Sequence, residues 1–214
     1  FGGLASSTAV VGSMLDHVRQ RSSVTEYAVA AVLLADAAMA ARNLAIVLFF
    51  TLTSGVPVLI AAAAPLGALV LASVGAAALT ADWDAELDIE LESPFSLRNA
   101  LTFGGVFAII LVGSAFAQAR FGTAGLFVSA AVSGLVSSAG ATTSATLLYI
   151  GGAVAGGPAV IAVLLASASS IAVKAGLTMS GPRQFARSVS VWSVLLLVVT
   201  GVVAAASIMF GPGL

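Results

Sequence analysis

Apolar residues run along this chain in seven blocks separated by short polar breaks, at roughly 1–15, 26–51, 56–80, 97–119, 121–148, 157–180 and 188–211. A bilayer-spanning helix needs about 20 apolar residues, because a backbone in lipid must satisfy its own hydrogen bonds. The pattern therefore predicts an all-α, polytopic integral membrane protein with about seven transmembrane helices. The breaks have recognisable chemistry. "DHVRQRSS" at 16–23 carries His17, Arg19 and Arg21, and "TSGVP" at 53–57 is a turn whose Pro57 suits a first helical turn. "GGAVAGGP" at 151–158 reads as a flexible turn and "SGPRQFARS" at 180–188 as a basic one. At 81–94, "ADWDAELDIELESP" places Asp82, Asp84, Glu86, Asp88, Glu90 and Glu92 at alternate positions, an extended or interfacial acidic loop.

Composition supports the membrane reading. Of 214 residues, 60% are hydrophobic and only 8% charged, against about 25% charged in a soluble domain. The net charge of −1 and the absence of a basic stripe argue against a nucleic-acid partner. No Cys is present, so disulfides and thiolate metal sites are excluded, and the lone His17 supplies neither paired haem ligands nor a zinc motif. No cofactor is expected, and no GxSxG nucleophile elbow points to a hydrolase. An enzyme is not the expectation. The chain opens on Phe1 in an apolar stretch without a charged leader, so an intact signal peptide is not expected at this end.

Two stretches echo one another. "GLASS" at 3–7 and "GLVSS" at 134–138 are separated by 131 residues. At the same offset, "AVAAVLLADAAMAA" (28–41) lies over "AVIAVLLASASSIA" (159–172) with nine identities in fourteen places. Two ungapped matches at one offset indicate a duplication. Residues 1–96, with the acidic loop, form a first repeat, and residues 97–214 a second. If every block is a full crossing, four lie between the pentapeptides and the repeats are parallel, related by an axis along the membrane normal. The helix at 97–119 would then lack a counterpart, and roughly 34 further residues are expected upstream in an eight-helix unit.

Chemistry in such a chain concentrates where polar groups enter the apolar blocks. Block 121–148 would be about 42 Å long as one straight helix, longer than the roughly 30 Å hydrocarbon core. A break is expected between Gly134 and Gly140. Ser137, Ser138, Thr142 and Thr143 would line it, with Ser6, Ser7 and Thr8 as the first-repeat equivalents. The same small residues also fit a helix-packing role. A charge inside a bilayer costs about 3 kcal/mol or more and faces a partner or water. Asp36 lies near the middle of its block, with Arg42 and Asn43 farther along. At the 131-residue offset Ser167 corresponds to Asp36 and Lys174 to Asn43. Asp36 and Arg42, six residues apart, point to different faces, so Asp36 needs a partner on another helix. Lys174 is the candidate, with Ser167 and Ser170 nearby. The positive-inside rule gives a tie: Arg19, Arg21 and Arg98 on one side, Arg120, Arg183 and Arg187 on the other.

"GGLASSTAVVGSML" (2–15), "SPFSLRNALTFGGVFAIILV" (93–112), "FGTAGLFVSAAVSGL" (121–135) and "VKAGLTM" (173–179) resemble the membrane domain of unknown function 4010, found after or beside the MgtC/SapB region in bacterial and archaeal proteins. The resemblance implies the membrane of a prokaryotic cell and, through the MgtC name, an association with magnesium. It also implies acidic residues where this chain has Ser137 and Ala139, which weakens a metal site there and leaves Asp36 as the carboxylate deep in a helix. Two functional expectations follow. One is a transporter or channel-like protein for a small ion, with magnesium as a candidate, its path running between the repeats. The other is a non-transporting membrane subunit or regulator, with a homo-oligomer or a partner subunit covering the packed faces.

Overall fold

The structure, a computed structural model, describes residues 7–56, 60–81 and 97–210. The acidic loop at 81–94 lies outside the described residues except Ala81, as does Ser6. Among the described residues every regular element is helical. The α-helices are α1 (Ser7–Gln20), α2 (Thr25–Thr53), α3 (Ile60–Thr80), α4 (Leu97–Val136), α5 (Ser138–Ile150), α6 (Gly156–Thr178) and α7 (Arg183–Phe210), with a short 3₁₀ turn at Ser22–Val24. Among the described residues five stretches are long and apolar enough to cross a membrane: Thr25–Thr53, Ala61–Thr80, Ala108–Val136, Gly156–Thr178 and Arg183–Ser207. Against the seven expected, the described residues hold seven α-helices, five of them of spanning length. Helices α1 and α5, with 14 and 13 residues, reach only about 20 Å at 1.5 Å per residue. Each of these described helices alone covers part of a bilayer.

The 97–119 and 121–148 blocks contain two breaks: one at Gly122, just past the expected boundary between the blocks, and one at Ser137, inside the expected window from Gly134 to Gly140. Gly122 has φ 59° and ψ −144° inside α4, a left-handed φ open to glycine at no steric cost. The fold there is sharp. A Cβ on Gly125 would collide with the carbonyl of Ala117, although residues eight apart in a straight helix are about 12 Å apart along the axis. The second break is at Ser137, which is extended (φ −154°, ψ 102°) and caps α5. Gln118 Nε2 donates to the carbonyl of Ala153 at 3.0 Å, so the chain returns after Ser137 to the level at which it left Gly122. Residues 123–150 thus form a helical hairpin with Ser137 at its tip. The 180–188 stretch is also more ordered than a turn. Pro182 supplies the carbonyl that receives the N–H of Ala186 at 3.0 Å, and fully buried Phe185 anchors the first turn of α7.

Among the described residues the apolar interior divides into two clusters. One joins Val11, Val18, Leu33, Leu69, Phe185 and Leu196. The other joins Val47, Leu66, Leu126, Ala145, Val160 and Val163. They define two ends of the molecule: an upper end with the turns at 21–24 and 179–182, and a lower end with those at 54–56 and 151–155. Large side chains such as Phe49, Leu71, Leu79, Ile109, Phe116 and Val202 point outward, as a lipid-facing surface requires. Hydroxyls within the helices are mostly absorbed by backbone carbonyls one turn back, as with Thr51 to Val47 (2.7 Å), Thr146 to Thr142 (2.8 Å) and Thr200 to Leu196 (2.7 Å).

Helix directions overturn the parallel arrangement. Asp36 of α2 pairs with Lys174 of α6, whereas Asn43 bonds Ser167. Seven residues forward on α2 meet seven residues backward on α6, so these two helices are antiparallel. The even count of crossings fails because α1 and the arms of the 123–150 hairpin go only part of the way. The arginine tie falls with it. Arg19 Nη2 donates to the carbonyl of Ser180 at 2.9 Å, which places the turn before Arg183 beside Arg19.

Close packing at the hairpin rests on Gly134. A Cβ there would lie 2.5 Å from the carbonyl oxygen and 2.7 Å from the Cα of Ala166. Gly134→Ala should therefore lower stability by about 1–3 kcal/mol, measured by thermal unfolding in detergent. Gly113→Ala, which meets no heavy atom within 4 Å, should leave stability equal or slightly higher.

Candidate functional site

The polar candidates gather where α2, α5 and α6 pack together. Asp36 and Lys174 form an ion pair with each side chain 1% exposed. Lys174 Nζ also reaches Ser7 Oγ at 3.4 Å and Met39 Sδ at 3.5 Å. About two turns along α2, fully buried Asn43 donates through Nδ2 to Ser167 Oγ at 3.0 Å. Ser167 in turn donates to the carbonyl of Val163 at 3.1 Å. The partner that the sequence demanded for Asp36 is thus in place. Arg42 is half-buried on the neighbouring position of α2.

The hairpin tip lies alongside. Ser137 Oγ accepts the N–H of Gly140 at 3.3 Å, and its carbonyl accepts the N–H of Ala141 at 3.1 Å. That cap serves one of the donors that every helix start leaves over. The N–H groups of Ser138 and Ala139 have no intrahelical acceptor, and both residues are buried. Behind them, Ser138 Oγ, Thr142 Oγ1 and Ser144 Oγ are buried without a hydrogen-bond partner, as is Asn43 Oδ1. Thr143 behaves otherwise, donating to the carbonyl of Ala139 at 2.9 Å.

Of the residues singled out in the sequence, the structure joins Asp36 to Lys174, Lys174 to Ser7, and Asn43 to Ser167. It sets Ser137, Ser138, Thr142 and Thr143 on one hairpin. Ser170 is buried on α6, and Thr8 is half-buried on α1. Met39 was missed, though it stands three residues from Asp36 and so on the same helical face. Ser144 and the buried, unpartnered Ser73 on α3 were missed too; nothing in their flanks marks them.

A buried pair of this kind is costly to break, because the remaining charge stays in a medium of low dielectric constant. Asp36→Asn or Lys174→Met alone should lower stability by about 3–5 kcal/mol. The double variant should recover most of that loss. A thermal-unfolding double-mutant cycle checks it, strict additivity being the contrary result.

Comparisons with known proteins agree with the sequence resemblance in one respect. No curated protein and no solved structure matches the chain. A family model described as "Domain of unknown function (DUF4010)" matches residues 1–181, and on that extent the chain belongs to the DUF4010 family.

Proposed function

We propose that this chain is a membrane transporter for a small ion, built as an inverted internal repeat with its binding site at mid-depth. The observation that carries the reading is the buried helix start at Ser138, set beside the polar contacts between α2 and α6. Backbone broken at membrane depth persists where protein or a polar cavity surrounds it, and transporters use such half-helices to hold substrates.

Three correspondences support the repeat. α5 begins 131 residues after α1, and α6 begins 131 residues after α2, the same displacement as in the two sequence matches. Under it, Asp36 maps to Ser167 and Asn43 to Lys174. The Asp36–Lys174 contact therefore maps onto Asn43–Ser167 with the helices exchanged. Reciprocal contacts of this form are what a two-fold axis produces. With α2 and α6 antiparallel, that axis lies in the membrane plane. The second repeat, from residue 97, then has its counterpart running from before residue 7 through α3.

Magnesium, suggested by the MgtC/SapB association, draws less support from these residues. Mg²⁺ is held by oxygen ligands, usually with one or two carboxylates; here Asp36 is committed to Lys174. Orientation follows from the revised ends. The upper end carries Arg19, Arg21, Arg183 and Arg187, and the lower end carries Arg120. By the positive-inside rule the upper end faces the cytoplasm of a prokaryotic cell.

Two experiments test these statements. In this Cys-free chain, Ser54→Cys should react with an impermeant thiol reagent in intact cells, and Gln184→Cys only after permeabilisation; the reverse labelling would invert the orientation. In proteoliposomes the full-length protein should move at least one of Na⁺, K⁺, Mg²⁺, protons, chloride or phosphate. A folded protein that moves none of them would favour the non-transporting subunit, and a copurifying membrane polypeptide would then be its partner.

A further inference from the structure

We infer that the end of a membrane lipid's acyl chain enters a mid-depth cavity enclosed by α3, α6 and α7. This binding site goes beyond the transport reading above and stands without it.

The cavity has a volume of about 110 Å³. It is walled by Leu69 of α3, Ser167 and Ile171 of α6, and Leu197 and Thr200 of α7. Leu69, Ser167 and Ile171 are at most 1% exposed, so the space reaches beneath the surface instead of merely denting it. Leu69 is the tenth of the 21 residues of α3, and Ser167 the twelfth of the 23 residues of α6. Both positions are central, which sets the cavity near the middle of the hydrocarbon layer.

Its entrance decides what can reach it. Gly201 at the mouth is exposed, and Ala168 and Leu197 beside it are partly so. A Cβ on Gly201 would meet no heavy atom within 4 Å, so the glycine leaves the entrance unobstructed. Its neighbours Val198 and Val202 point outward, into the medium that surrounds the spans. In a hydrocarbon core about 30 Å thick, the middle lies about 15 Å from either headgroup layer. Acyl-chain ends are what lies at that depth.

The chemistry of the wall disfavours other occupants. A buried water needs two to four polar partners, and the hydroxyls here are already used. Ser167 donates to the carbonyl of Val163 at 3.1 Å and accepts from Asn43, and Thr200 donates to the carbonyl of Leu196 at 2.7 Å. Among the described residues no charged side chain lines the space. An apolar cavity of about 150 Å³ stays dry and takes benzene or xenon, so this one suits a few methylenes and a terminal methyl. A partner helix, about 10 Å across, is too thick to enter. Because Ser167 belongs both to this wall and to the contact with Asn43, a chain end in the cavity backs α6 where it meets α2.

The test uses the full-length protein in phosphatidylcholine vesicles that contain a small fraction of photoreactive phosphatidylcholine. One probe carries a diazirine at the end of an acyl chain, the other beside the carboxyl group, and mass spectrometry after illumination locates the insertions. The chain-end probe should label Leu69 or Ile171 as well as outward-facing Val202, and the carboxyl-side probe should label Leu69 and Ile171 at least tenfold less. Ala168→Leu and Gly201→Leu, made separately, add carbons at the entrance. Each should cut labelling of the inner wall tenfold or more while leaving Phe116, on the outer surface, labelled as before. The comparison of the two probes on the parent protein does not depend on how either variant folds. Label at Val202 without Leu69 or Ile171 would mean that chains pass over this face without entering, and would sink the inference. Inner-wall labelling that both variants leave unchanged would overturn entry at Gly201. Phe116 labelled with neither Val202 nor the inner wall would show that protein covers this face in place of lipid, which also overturns it.

Discussion

The contact between Asp36 and Lys174 organises the middle of this protein. Neither charge is tolerable alone in an apolar interior, so α2 and α6 must cross where the two meet. That requirement fixes the relative height of the two helices. Asn43 and Ser167 then fall opposite one another about two turns away, and a second polar contact forms without needing charge. Gly134 allows the hairpin to approach α6 at Ala166, and the hairpin tip comes to rest beside the same helices. A shift of α6 by one turn would separate the ion pair and the amide contact together.

Much of this was legible in the amino-acid pattern. The apolar blocks mark α2, α3, α6 and α7 to within a few residues, except at the start of α7, because long lipid-compatible runs have few alternatives. The partner of Asp36 was also readable, since a mid-block carboxylate demands a cation and few lie at matching depth. Sense and depth were less accessible. A block of apolar residues records that the chain enters lipid but not how far it goes before turning. Residues 121–148 have the hydropathy of one long span; their excess length signals the break at Ser137, but only the backbone at Gly122 and Ser137 shows that the chain turns back there into a hairpin. The same ambiguity hid the antiparallel relation, because counting crossings treats α1 as a full traverse. Phe185 shows a smaller failure of this kind: the basic residues around it suggest a loop, whereas its buried ring draws the segment into α7.

Within the site, hydrogen-bonding habit separates residues that composition could not. Ser and Thr are common throughout these helices, and small residues serve packing as readily as binding. What distinguishes Ser138 and Thr142 is a missing back-bond, a property of three-dimensional surroundings. Thr143, one position away, spends its hydroxyl on its own helix. Sequence placed all three in one class.

Lys174 is the only lysine in the chain, and it is sealed at the contact with Asp36. The protein therefore carries one side-chain amine, located at its centre rather than on its surface. An amine-selective modifier would find no competing lysine elsewhere. Its yield at Lys174 would measure how often the interior meets water, making the residue an intrinsic gauge of opening in the unmutated chain.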